Sequence, residues 1–140
     1  MNEYNYKAVK TIVGNHTYDS RLEGSVAALL TSYHIEFLPH QKYYLFDREG
    51  KNFSYELDFY FPKPQKFLGT GWIDGIEVKG ILKKHDFLRR DALHYKMGID
   101  VFIATEPIIK CWIYTGLYKN KPQKWVDLDS LMIKKESDII

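Results

Sequence analysis

From Tyr55 to Phe61 the chain reads Tyr-Glu-Leu-Asp-Phe-Tyr-Phe, with an apolar or aromatic residue at every odd position. A period of two suits a strand with one buried face, whereas a helix would repeat at three and four residues. A chain with this run must build a sheet. The segment Lys42-Tyr43-Tyr44-Leu45-Phe46, preceded by Ile35-Glu36-Phe37-Leu38, is likewise aromatic and β-prone, and Asp47-Arg48-Glu49-Gly50 supplies a turn. The two runs are expected to pair antiparallel. Pro62-Lys63-Pro64 is expected to end the second strand, because neither proline can donate to a ladder. Gln65 to Gly71 then reads as a loop and Ile73 to Lys79 as a third strand.

Helices frame these strands. Ser20-Arg21-Leu22-Glu23 has the form of a capping box, and Leu22, Val26, Leu29, Leu30 and Tyr33 follow at helical spacing, which predicts a helix over about 21–33. Asp86 is read as the N-cap of a second helix over about 87–97, with Gly98 as its stop and Leu88, Ala92 and Tyr95 as its apolar stripe. Asp100 to Thr105 reads as a buried strand and Ile109 to Tyr114 as another, across a turn at Glu106-Pro107. The tail is expected to form a short helix near 128–133. This order implies an α/β fold, a mixed central sheet flanked by helices. At 140 residues it is expected to be a single domain, with a core over about 18–113 and a C-terminal extension over about 117–140.

Composition narrows the classes. A 45% hydrophobic content excludes a disordered chain. One cysteine, Cys111, excludes an internal disulfide and a cysteine-rich zinc site, and its apolar setting reads as a buried strand thiol. The N-terminus has no signal-like pattern and no apolar run is long enough to span a membrane, so a soluble, intracellular protein without membrane contact is expected. A formal charge of +2, from 20 Lys+Arg against 18 Asp+Glu, neither demands nor excludes nucleic acid, so charge placement decides.

Strand parity points to the chemistry. Strict alternation would put Asp58, with Glu56 and Tyr60, on the face opposite the odd positions. In Ile76-Glu77-Val78-Lys79, Glu77 and Lys79 share a face about 7 Å apart along the strand. If the two strands pair, two carboxylates and an ammonium converge. Mg2+ takes oxygen ligands of this kind, and a bound divalent cation polarises a phosphoryl oxygen and acidifies a water. Lys79 would orient water or stabilise developing charge; acting as a base would need a lowered pKa. The carbonyl of Val78 could also face the cation. Tyr43, Tyr44, Tyr55 and Tyr60 read as strand packing, and Asp74-Gly75 as a turn or bulge.

Glu23 in a first helix, Leu57-Asp58-Phe59, and Ile76-Glu77-Val78-Lys79-Gly80 together resemble the PD-(D/E)xK nuclease superfamily, above all the phage endonuclease I type of Holliday-junction resolvase and related small phage nucleases. The resemblance covers about 18–113. It implies a restriction-endonuclease-like α-β-β-β-α-β core and Mg2+-dependent DNA cleavage, with Mn2+ able to substitute and no organic cofactor. It further implies a homodimer acting on branched or junction DNA in the host cytoplasm. Asp58, Glu77 and Glu23 would be the metal carboxylates. One departure is Leu57, which stands where the family's name has proline. Two rivals remain: a restriction- or transposon-type endonuclease of the same superfamily, and a non-cleaving nucleic-acid-binding subunit that keeps the fold.

The densest basic segment follows the Glu-x-Lys directly. Lys83, Lys84, Arg89, Arg90 and His94, with His85, are read as phosphate contacts, and Lys119, Lys121 and Lys124 form a weaker cluster.

Overall fold

The computed structural model describes residues 10–46, 49–118 and 132–135. Among them the fold is α/β, with three helices and a mixed four-stranded sheet. The chain divides into two compact units, one holding the described residues up to Ile35 with 132–135, the other running from Glu36 to Tyr118.

The first unit contains a hairpin that sequence patterning does not reveal, β1 (Thr11–Val13) with β2 (His16–Tyr18), turned at Gly14, whose φ of 61° suits glycine. Helix α1 (Arg21–Ser32) follows as expected, and the Ser20 hydroxyl accepts from the Glu23 N–H at 3.0 Å. It ends in a Schellman arrangement: His34 takes the left-handed conformation, its N–H donates to Thr31, and the Ile35 N–H donates to Leu30. Gly24 has no room for a side chain, since a Cβ there would lie 2.8 Å from Thr11 Cγ2. The expected tail helix lies mostly outside the described residues. Where described, Met132–Lys135 is a strand that pairs with β1 and makes a sheet ordered β2-β1-Met132–Lys135.

The second unit carries the larger sheet. Strands β3 (Leu38–Phe46) and β4 (Asn52–Lys66) form the expected antiparallel pair, and β5 (Trp72–Lys79) pairs antiparallel with β4. Helix α2 (Lys84–Met97) then crosses to β6 (Val101–Thr105), which lies parallel to β5, so the order is β3-β4-β5-β6. Gly98 ends α2 with a φ of 68°. Two expectations fail here. Pro62 and Pro64 do not end β4, which continues to Lys66. Its pairing with β3 stops at Leu38↔Tyr60, and its register with β5 slips between Tyr60↔Gly75 and Gln65↔Ile73, so the prolines fall in the irregular stretch where no donor is needed. Nor is Ile109–Tyr114 a strand. Glu106–Thr115 is helix α3, with Pro107 in its first turn, where a missing N–H costs nothing, and with Ile109 and Trp112 buried. Cys111 is consequently an exposed helical residue rather than a buried strand thiol.

The stripe that α2 turns inward also differs from the expected one. Leu88 and Tyr95 are 60% and 88% exposed, while Asp86 and Leu93 are buried and Arg89 lies over the Phe53 ring at 5.4 Å. Asp86, Arg89 or Arg90, and Leu93 recur at i, i+3/4 and i+7, so this largely charged face is the one laid on the sheet. Leu93 reaches the core formed by Leu45, Tyr55, Leu57 and Val101.

Candidate active site at the rim of strands β4 and β5

The geometry of the site begins with a break in alternation. Tyr55 and Leu57 pack with Leu93 and Val101, as odd positions of one face should. Tyr60 packs against that same cluster, although strict parity would put it on the other face. Phe59, by contrast, pairs with Ile76 and through it with Phe102, whose ring meets Trp112 at 5.8 Å; Trp112 in turn meets Phe67, which meets Phe61. The faces therefore exchange between Leu57 and Phe59, at Asp58. The ladder with β3 marks the same place. Pairs run from Leu38↔Tyr60 to Phe46↔Asn52 and skip only the position where His40 would face Asp58, and His40 has a φ of 54°. Strict alternation of the odd positions is thus corrected by a local distortion in both strands.

This distortion aims the Asp58 carboxylate at β5. Its Oδ2 accepts from the Val78 N–H at 2.8 Å, a donor that a continued ladder would have used. Glu77 and Lys79 flank Val78. Asp58 is thus brought to the backbone of Val78, between Glu77 and Lys79, which pair with each other, by a route that parity alone does not foresee. The Glu77 side chain is buried, and its Oε2 lies 3.0 Å from Lys79 Nζ. Its Oε1 is buried with no hydrogen-bond partner among the described residues. Such an acceptor is costly, because folding has stripped its water and returned no well-aligned donor.

Two further residues complete the setting, and the sequence pattern gives neither of them this place. For Tyr55 the pattern indicates packing alone. Its ring does pack, yet its buried hydroxyl also lies beside the Glu77 carboxylate, close enough for a hydrogen bond to Glu77 to contribute to its shift although the alignment falls short of strict hydrogen-bond geometry, and within electrostatic reach of Asp58. Burial first, and then the Glu77 charge, push this phenol far above its usual 10.0, so it stays a neutral potential donor. Asp86, expected as an N-cap, sits instead in the first turn of α2 behind the cap residue Lys83. Its Oδ2 accepts from the Lys83 N–H at 2.8 Å, and its Oδ1 lies 3.4 Å from Lys79 Nζ. The one sequence signal for this is the Lys83-to-Asp86 spacing of three, which is that of a residue reaching back to a cap.

Lys79 is therefore held between two carboxylates. Burial alone would lower its pKa, but the Glu77 charge and hydrogen bond, joined by those of Asp86, outweigh burial and raise it. The side chain is an ammonium here, suited to orienting a water or an oxyanion and unsuited to taking a proton.

The other expected residues are placed as follows. Glu23 is buried in the first turn of α1, in the first unit, close enough to Tyr18 that burial and then its charge push that phenol up to about 12. Lys83 and Lys84 are exposed at the start of α2. Arg89 donates to the Ser54 carbonyl at 3.1 Å, Arg90 pairs with Asp91 at 3.2 Å, and His94 Nδ1 lies 2.6 Å from Asp100 Oδ1. Lys119, Lys121 and Lys124 fall outside the described residues. Asp74 serves the sheet, since its Oδ2 accepts from the Asp100 N–H at 2.9 Å and fixes the start of β6 against β5.

Compared with known proteins, the chain matches no family model, no curated protein and no solved structure.

Proposed function

We propose that this chain is a divalent-metal-dependent DNA endonuclease whose site is built on Asp58, Glu77 and Lys79. The observation that carries the reading is the buried Glu77 carboxylate, with one oxygen on Lys79 and the other without a well-aligned donor among the described residues, the Tyr55 hydroxyl lying beside it, next to Val78, whose N–H fixes the Asp58 carboxylate. A binding site tolerates an unsatisfied buried acceptor where a core would not. All the offered donors are oxygens, which fits a hard cation such as Mg2+, with Mn2+ as substitute. Asp58, Glu77 and the Val78 carbonyl would hold it. When bound, the cation supplies a Lewis acid for the phosphoryl oxygen and an acidified water.

The chain's own groups do the rest. Asp58, pinned by the Val78 N–H, presents a preoriented carboxylate. Lys79, kept charged, stabilises negative charge that develops on the phosphate or orients the attacking water. Lys83 and Lys84, exposed just beyond β5, offer phosphate contacts, joined by Arg89, Arg90 and His94 where these exchange their present partners for DNA. The chain order of α1, three antiparallel strands, α2 and a parallel strand agrees with the α-β-β-β-α-β order that the resemblance to the PD-(D/E)xK superfamily implies, and so supports that reading. Action on branched DNA as a homodimer follows from that resemblance.

The test is to incubate the protein and Asp58→Ala with four-way junction, linear duplex and single-stranded DNA, in Mg2+ or EDTA. Mg2+-dependent cleavage by the wild type, absent in the variant, is expected. No cleavage of any substrate refutes the enzyme reading. Equal cutting of linear duplex refutes only the branch preference.

A further inference from the structure

We propose that Asp86 is a positioning residue for Lys79, keeping its ammonium over the site when Glu77 turns to a divalent cation. The inference rests on the metal-site reading above and adds a residue that reading does not use.

Lys79 Nζ lies 3.0 Å from Glu77 and 3.4 Å from Asp86. These partners differ in what a cation does to them. A coordinated carboxylate gives up much of its negative field to the metal, and the metal's own charge repels an ammonium nearby. Glu77 is thus a poor anchor at the moment Lys79 is needed. With Glu77 as its sole partner, a lysine whose side chain is 32% exposed could swing to solvent on its flexible stem.

Asp86 does not share that weakness. It stands on α2 rather than on the sheet, its side chain is only 3% exposed, and one of its oxygens is committed to the Lys83 N–H. A helix cap needs one oxygen. The second, Oδ1, faces Lys79, with His85 Nε2 at 3.5 Å. Capping thus fixes the carboxylate, and the remaining oxygen places the ammonium. The division of labour explains why a buried acid occupies the inward stripe of a helix that otherwise reaches the core through Leu93.

The two roles separate by substitution. Asp86→Asn keeps an acceptor for the Lys83 N–H and turns an amide NH2 toward Lys79. Steady-state cleavage in Mg2+ should show kcat lower by about 10- to 100-fold, the usual scale for a supporting shell, with the Mg2+ requirement and KM for DNA close to wild type. Asp86→Glu, which restores the charge, should recover part of the loss. A second measurement needs no cleavage by a variant. The Lys79 ammonium resonance in 15N NMR spectra is visible only while acceptors hold its protons. It should persist in the wild type when Mg2+ saturates the site, and vanish in Asp86→Asn. Wild-type cleavage with Asp86→Asn unimpaired, kcat and Mg2+ affinity falling together, or a Lys79 resonance that Mg2+ abolishes in the wild type would each overturn the proposal alone. A wild type without metal-dependent cleavage would overturn the metal reading and this inference with it.

Discussion

Glu77→Gln separates a catalytic carboxylate from a structural ion pair, because the two roles predict opposite changes in stability. As a carboxylate, Glu77 is 7% exposed, and its Oε1 has no well-aligned donor among the described residues, the Tyr55 hydroxyl being the neighbour at hand. An unsatisfied buried acceptor costs about 1–3 kcal/mol, more when it is charged. Against this stands the pair with Lys79, whose side chain is one-third exposed and which keeps Asp86 as a second partner, so its loss is worth at most about 1 kcal/mol. A glutamine can accept from Lys79 with its carbonyl and donate to the Tyr55 oxygen with its amide, replacing the poorly aligned contact of the phenol with a buried charge. The variant should therefore be unchanged or up to about 2 kcal/mol more stable in EDTA. That corresponds to a melting temperature higher by as much as about 4–8 °C in a chain of this length. Adding Mg2+ should reverse the order. At a hundred times the dissociation constant a site gains about 2.7 kcal/mol, which the wild type should show and the variant should not. Paired thermal melts with and without Mg2+, alongside a cleavage assay, measure all of this. A loss of about 3 kcal/mol or more in EDTA, the cost of breaking a buried ion pair, together with a wild-type melt indifferent to Mg2+, would refute the reasoning and make Glu77 a structural residue.

Gly75→Ala should lose about 1–3 kcal/mol in urea denaturation, since a Cβ there would lie 2.4 Å from the Phe59 carbonyl and 2.8 Å from Leu57 Cδ2; an unperturbed midpoint would mean that β4 and β5 can part without cost. The Tyr18 pKa, raised from 10.0 to about 12, makes stability fall with rising pH: the contribution is complete below pH 10, where both states are protonated, and is lost as the unfolded phenol ionises between pH 10 and 12. Tyr18→Phe should flatten that alkaline limb by at most about 3 kcal/mol, and identical slopes would show that the phenol is not shielded. Arg89→Ala with Arg90→Ala should weaken DNA binding and lower the salt slope by about one for each phosphate no longer neutralised. Unchanged binding would leave the two arginines with their present structural partners, Ser54 and Asp91.

Local pattern makes most of the second unit legible. Alternation locates β4, β-prone runs locate β3 and β5, and Gly98 closes α2 where expected. What escapes is decided by partners distant in sequence. Ile108-Ile109-Lys110-Cys111-Trp112-Ile113 suits a buried strand as well as a helix, and the outcome turns on Pro107 starting a helix whose Trp112 donates to the Leu68 carbonyl at 2.8 Å. On α2, Leu88 and Tyr95 outrank Asp86 and Arg89 in hydropathy. A face able to reach Lys79, Ser54 and the Phe53 ring nevertheless turns inward. The β1–β2 hairpin has strands of three residues, too short for periodicity to register.

The site shows why legibility stops at chemistry. Asp58, Glu77 and Lys79 can be brought together from spacing because Asp58 and Glu77 fall on adjacent strands whose last common pair is Phe59↔Ile76. Strict parity, however, would keep Tyr55 away from Glu77 and leave the Val78 N–H to the backbone of β4. Among the described residues the β4–β5 ladder goes no further than that pair, while β5 continues beside β6 to Lys79↔Thr105. One side of Glu77-Val78-Lys79 is thus held rigidly by a parallel neighbour, and the other meets a side chain instead of a ladder. Irregular strand positions free backbone groups and re-aim side chains. Here the irregularity falls at the aspartate, and it turns an ordinary antiparallel pair into a rim where a buried carboxylate keeps an oxygen without a well-aligned donor among the described residues.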